Sequence, residues 1–194
     1  MSGTHPDPMQ LFDYDRSRAG SLNDPLANVC YLATITDAGD PTVRTLVTRE
    51  VEGRVGVFMN ASSPKFREIG NSSAVTVLMH FPSIAIQYRM HTGLTEMDGE
   101  TVQQFWMNRP QASKKMDWLY SSSPQSSTVE SRTALLDQLS NLDVPDRAPP
   151  SATGFYFDPI LSIERLALDQ PDHVHDRTKY VLDGSSWQVF QLVP

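Results

Sequence analysis

A chain of 194 residues, 39% hydrophobic and 20% charged, has the length and balance of one folded domain with a sizeable core. Its net charge of −7 argues against a general affinity for nucleic acid, and no apolar run approaches the ~18 residues of a membrane span. The polar stretch from Met1 to Gln10 lacks the apolar segment of a secretory signal, and the lone Cys30 excludes an internal disulfide, so a cytoplasmic protein is expected.

Residues 1–26 are polar, with Pro, Asp and Ser, and read as an N-terminal arm or short helix ahead of a single domain over 27–194. Val29–Ile35 is rich in β-branched and aromatic residues, and Asp37–Asp40 supplies a turn. Thr42–Glu50 alternates, with Val43, Thr45, Val47 and Arg49 on one face and Arg44, Leu46 and Thr48 on the other. A turn at Glu52-Gly53 leads to a third strand, Arg54–Met59. Ser63 then reads as a helix N-cap with Pro64 in the first helical position, and Gly70 and Asn71 end the helix. Strands follow at Ala74–His80 and Ile84–Met97, the second bent at Gly93. Asp98–Asn108 is helical, with Val102, Phe105, Trp106 and Arg109 near one face, and Lys114–Tyr120 is a further short helix.

Ser121–Ser127 is Ser-rich and reads, by its residues alone, as a flexible surface loop. Thr128–Leu142 carries Leu135, Leu136, Leu139 and Leu142 on one stripe and predicts an amphipathic helix. Asp143–Ser151, with three prolines, is a connector. The C-terminal third returns to strands at Phe155–Phe157 and Leu161–Leu168, then a hairpin about Asp183-Gly184. Strands, helix, strands, helices and strands in this order do not alternate as a parallel sheet requires. They predict a mainly β, antiparallel barrel with peripheral helices.

The residues themselves limit the chemistry. Neither a dinucleotide-binding glycine fingerprint nor a phosphate-binding loop occurs, and a serine-nucleophile elbow is missing. His173-Val174-His175 puts two imidazoles on one face if it is a strand, but no third ligand stands nearby, so no metal site is expected. What stands out is arginine amid apolar strand residues, at Arg44, Arg49 and Arg177, with Lys65 near a helix start. Guanidinium grips phosphate in a bidentate fork, and buried arginine needs an anionic partner. The residues alone therefore reach an antiparallel barrel with a small phosphorylated ligand.

An ordered series of segments carries more. It runs Tyr31–Ile35, Pro41-x-x-Arg44, Phe58-Met59-Asn60-x-x-Ser63-x-Lys65-x-Arg67-Glu68, Gln87-x-Arg89-x-x-x-Gly93, Arg109-Pro110-x-x-Ser113, Ser123-Pro124-Gln125-Ser126 and His175-Asp176-Arg177-x-x-Tyr180. From about residue 27 to the end this series resembles the pyridoxamine/pyridoxine 5′-phosphate oxidase family. The resemblance implies an FMN-binding split β-barrel that works as a homodimer. It implies oxidation of a phosphorylated pyridoxamine or pyridoxine to pyridoxal 5′-phosphate, with O2 as acceptor. It assigns FMN contacts to Arg44, Thr45, Leu46, Val47, Lys65, Gln87, Gln125, Ser126 and Arg177. It gives the substrate phosphate to Arg49, Arg109 and Ser113, and the pyridine ring to His175 and His173.

The chain also departs from that pattern. Arg49 stands where the family has Lys, Phe105 where it has Tyr, and Pro64 where it has an Arg before Lys65. Phe58-Met59 replaces an aromatic-Thr pair, Leu166 or Ala167 replaces a Trp, and His173 replaces an Arg. Two alternatives therefore stand beside the oxidase: a diverged flavin oxidoreductase of the same fold with another substrate, as in phenazine-pathway relatives, and a non-catalytic binder of flavin or another cofactor.

Overall fold

The computed structural model describes residues 7–72 and 74–194; residues 1–6 of the expected N-terminal arm lie outside them. Helix α1 (Pro8–Ser21) precedes strands β1 (Val29–Ile35), β2 (Pro41–Val51) and β3 (Arg54–Asn60), then helix α2 (Pro64–Gly70). Strands β4 (Val75–Phe81) and β5 (Ile86–Glu96) follow, then helices α3 (Gly99–Met107), α4 (Gln111–Leu119) and α5 (Arg132–Ser140). Strands β6 (Ala152–Ala167), β7 (Asp176–Asp183) and β8 (Ser186–Leu192) complete the chain.

All pairings are antiparallel, in the order β3-β2-β1-β4-β5-β6-β7-β8, and β3 also pairs with β6. That extra pairing closes β3, β2, β1, β4, β5 and β6 into a barrel, and β7 and β8 run on from it. Strand β6 manages both tasks because its 16 residues divide one edge between two neighbours. Its first part, Ala152–Tyr156, pairs with β3, and Ser162–Ala167 pairs with β7. Asp158-Pro159 lies between the two parts, where proline has no N–H to offer a ladder. The bend expected at Gly93 faces this point. The β5–β6 register shifts on either side of Thr92, and a Cβ on Gly93 would stand 2.8 Å from Pro159 Cδ.

Inward-facing Leu32, Val57, Val77, Met79, Phe81 and Ile163 fill the barrel. Cys30 is buried with them, and burial pushes its thiol up to about 12, so it behaves as a small apolar group. Helix α1 contributes to the same core. Asp7 caps it by accepting from the Met9 N–H, Pro8 opens it, and Phe12 sits edge-on to Tyr88 at 5.1 Å between ring centroids. One turn on, buried Asp15 accepts from the Tyr88 hydroxyl at 2.6 Å and from Arg165 Nε at 2.8 Å, which ties α1 to β5 and β6.

Several local expectations are corrected. The helix expected from Thr128 begins only at Arg132, because the Ser131 hydroxyl accepts from Ala134 N–H and caps it there. None of its leucines is fully buried, since α4 is the only element it packs against to any extent among those described. Phe155–Phe157 and Leu161–Leu168, except its last residue, belong to one strand, β6, which ends at Ala167. Ser63 holds the N-cap position of α2, but its hydroxyl donates to Asn60 O at 2.7 Å and does not cap the helix. The β7–β8 hairpin forms with Gly184-Ser185 as its two central residues, one place beyond Asp183-Gly184, and Gly184 supplies the positive φ of 60°. His173-Val174-His175 is not a strand: it lies in the loop between β6 and β7, with His173 at φ 62°.

Candidate functional site

Most residues singled out in the sequence come together in two clefts. On β2, Arg44 and Leu46 point inward while Thr45, Val47 and Arg49 point outward. Where β2 ends against α2 and the Ser-rich loop, Arg44, Thr45, Leu46, Lys65, Gln125 and Ser126 line one cleft. Lys65 is buried, and its Nζ donates to Gln125 Oε1 at 3.1 Å. The loop is anchored: Gln125 N–H donates to Ser62 Oγ at 3.1 Å, and Ser126 adopts a positive φ of 74°. The stretch that composition alone made a flexible loop is thus a wall of the site.

Arg44 is already paired. It donates to the hydroxyls of Thr34 and Thr42, and its Nη2 stands 2.5 Å from Glu68 Oε2. Glu68 also accepts from Thr34 at 2.5 Å. Burial pushes the Glu68 carboxyl up, but the hydrogen bonds from Thr34 and Arg44 outweigh it and hold the group below its usual range. Lys65 is shifted down, chiefly by burial and then by Arg44, with Glu68 opposing. With Arg44 and Glu68 offsetting each other, Lys65 supplies the net positive charge of this cleft.

The lowered Glu68 pKa makes a stability prediction. A carboxylate whose folded-state pKa is depressed stabilises the fold above its unfolded value of about 4.3, and that contribution is lost as pH falls through the folded value. Urea midpoints measured from pH 7 down to 3 should therefore fall steeply below about pH 4 in the wild type. Glu68→Gln should start lower at pH 7 and lose less on acidification. An equally steep acid loss in the variant would show that other carboxylates carry it.

A second chamber opens behind the first and shares Leu46, Lys65 and Gln125 with it. Its walls are aromatic: Phe58 and Phe105 stack at 4.2 Å with 15° between their planes, and Trp106 and Tyr120 complete the lining. Arg109, between α3 and α4, enters this chamber and meets Asp117 of α4, with Nε 3.1 Å from Oδ2 and Nη2 3.5 Å from Oδ1. Ser113 is half-buried on the first turn of α4, outside the chamber lining. Arg49 is exposed on the outer face of β2, where it donates to Thr48 O at 3.1 Å, and Val47 is exposed beside it. Neither lines either chamber.

The remaining residues form a separate cleft on β5, β6 and β7. Gln87, Leu166 and Arg177 are cross-strand neighbours, and His175 stands beside them. Glu164 accepts from Arg89 at 2.6 Å and from Arg177 at 2.9 Å. Burial raises its carboxyl, but those hydrogen bonds prevail and lower it. His175 Nδ1 lies 2.9 Å from Leu168 O; a carbonyl only accepts, so Nδ1 carries a proton. His173 is exposed in the loop and does not line the cleft, and the neighbouring Asp172 accepts from Val174 N–H at 3.0 Å.

Three participants had no role assigned from the sequence: Glu68, named only as part of a matching segment, and Glu164 and Asp117, which were not singled out at all. Glu68 had a signal, since it lies three residues after Lys65 on a short helix and shares its buried side with Ile69. Glu164 and Asp117 had none, because their partners come from other strands or from across a helix start.

No protein-family model matches the chain. It is 28% identical to a pyridoxine/pyridoxamine 5′-phosphate oxidase of Burkholderia thailandensis, over 98% of this chain and 90% of that protein. It is 29% identical to the enzyme of that name from Rubrobacter xylanophilus, over 99% of this chain and 89% of the relative. Among solved structures, PhzG of Burkholderia lata, in complex with tetrahydrophenazine-1-carboxylic acid, superposes with a TM-score of 0.84 at 22% identity, over 98% of this chain and 94% of that one. A pyridoxamine 5′-phosphate oxidase-related, FMN-binding protein of Nostoc punctiforme superposes with a TM-score of 0.78 at 18% identity, over 98% of this chain and 99% of the other. The fold is the split barrel of the pyridoxamine 5′-phosphate oxidase-like proteins. In this split barrel the expected resemblance extends over nearly the whole chain.

Proposed function

We propose that this split barrel is a cytoplasmic, homodimeric, FMN-dependent oxidase of a small aromatic substrate, with pyridoxamine or pyridoxine 5′-phosphate as the first substrate to test and O2 as electron acceptor. The observation that carries the reading is the gathering of Lys65, Gln125 and Ser126 at one cleft and of Gln87, His175 and Arg177 at another. The donor set suits FMN: a buried ammonium on a fixed side-chain amide would meet a phosphate monoester at the first cleft, and a half-buried row of amide and guanidinium groups would meet ring heteroatoms at the second. When bound, FMN supplies the hydride acceptor and passes the electrons on.

The two clefts share no lining residue. Between them on the outer face lie Tyr31 and Leu78, three strand spacings or about 14 Å from Thr45 to Arg89. A two-fold pairing of outer faces would bring one cleft of each copy to the other cleft of its partner, and Val43 and Val47, both more than half exposed, would be covered by it. In that arrangement Lys65 holds the phosphate, Arg177 and Gln87 of the second copy orient the ring system, and the aromatic chamber holds the substrate away from water.

Titration of the purified protein into FMN should quench flavin fluorescence saturably. Anaerobic pyridoxamine 5′-phosphate should then bleach the bound flavin. Absence of binding at micromolar FMN would remove the flavin reading altogether. A second reading, a flavin oxidoreductase of the same fold with a different substrate, is favoured by one observation: the expected phosphate ligand Arg109 is already paired with Asp117. Bound flavin that pyridoxamine 5′-phosphate fails to bleach would support it.

A further inference from the structure

The aromatic chamber is built for a flat ring, but its charge is not built for a phosphate. Its charged lining consists of Lys65, Arg109 and Asp117. Lys65 sits at the boundary with the outer cleft and is engaged there with Gln125. That leaves Arg109 and Asp117 to set the charge of the inner part, and they cancel. The carboxylate lies against the Nε and Nη2 edge of the guanidinium, the edge that could grip an oxyanion; it offsets the charge there, but only Nη2 donates to it and the buried Nε–H has no hydrogen-bond partner. Burial pushes the Asp117 carboxyl up, with Arg109 opposing, as expected of a carboxylate turned into a partly dry chamber.

We propose that Asp117 is a specificity-determining residue that turns the chamber away from dianionic phosphate esters and toward unphosphorylated planar aromatic substrates; this rests on the second reading above. A phosphate monoester entering here would have to displace Asp117 from Arg109 or lie beside it. In the first case a carboxylate loses its partner in a half-buried place, and in the second two like charges face one another. A planar ring with a neutral or singly charged substituent meets neither obstacle. It stacks against Phe58, Phe105 and Tyr120 and leaves the ion pair intact.

The test uses 4-deoxypyridoxine and its 5′-phosphate, which differ only in the phosphate and carry no oxidisable 4′ group. Calorimetric titration of each into FMN-saturated protein, and into the same protein without FMN, gives the preference for phosphate as a ratio of affinities. The wild type should bind the two within about threefold of each other. Asp117→Asn keeps the shape and removes the charge, and it should shift the ratio toward the phosphorylated probe by about tenfold or more while altering the unphosphorylated affinity little. Asp117→Ala should move it the same way. A strong wild-type preference for the phosphorylated probe, a ratio unchanged in both variants, or binding of neither probe overturns the proposal. A wild type that takes up no FMN overturns the flavin reading instead, and the flavin-free titration still scores Asp117.

Discussion

Lys65→Ala and Arg177→Ala are each expected to weaken FMN binding about ten- to a hundredfold, and an equimolar mixture of the two to regain tight binding that neither has alone. The loss follows from removing a charged donor, Lys65 from the cleft at β2 and α2 or Arg177 from the cleft on β5–β7. The recovery follows from symmetry. If each flavin site joins one cleft of each copy, a heterodimer carries one site with both defects and one with none. Random exchange makes half of the dimers mixed, so about a quarter of the wild-type sites should return. Flavin fluorescence at an FMN concentration between the wild-type and variant dissociation constants reads this directly. Were the mixture to bind no better than the two variants separately, while light scattering showed subunit exchange, the site would lie within one chain.

Asp15→Ala should lower the stability of the fold by about 3–5 kcal/mol, the usual result of removing one member of a buried ion pair and leaving the other unpaired. Asp15 is 2% exposed and accepts from both Tyr88 and Arg165, so the substitution orphans two donors at once. The effect should appear in urea denaturation as a lower midpoint. Tyr88→Phe removes one hydrogen bond and keeps the ring against Phe12, and should cost about 1 kcal/mol. Asp13→Ala on the exposed side of the same helix should stay within about 0.5 kcal/mol. A loss below about 1 kcal/mol for Asp15→Ala would mean that the apolar contacts of α1, Phe12 and Ala19 among them, hold it without the buried carboxylate.

Most strands were legible in the sequence, because period-two alternation on β2 and turn residues between strands are local properties. Val29–Ile35 has the same bounds in the sequence and in the fold. An ordered resemblance that no single segment would have carried picked out most of the residues that gather at the two clefts, and helical spacing gave the aromatic face of α3 with Val102, Phe105 and Trp106. Where local and tertiary forces compete, the sequence was silent or misleading. The leucine stripe of 128–142 is as regular as a core helix, yet α5 stays largely exposed because its main packing partner is a single short helix, α4. Residues 121–127 have the composition of a mobile loop, yet Ser62 and Lys65 fix Gln125 from 60 or more positions away.

Only the tertiary structure decided how the charges are spent. In sequence Arg44 and Arg177 read as strand cations and Arg109 as a cation near an aromatic helix face. In the fold each faces a carboxylate, Glu68, Asp117 and Glu164 respectively, brought from a different element. Pairing of this kind depends on distances of a few ångströms between groups remote along the chain, where Coulomb energy varies steeply, and no spacing rule encodes it. The same holds for the division of the residues singled out in the sequence into two clefts. Strand order places β2 and β5 three strands apart, and that separation is a property of the closed barrel rather than of any segment in it.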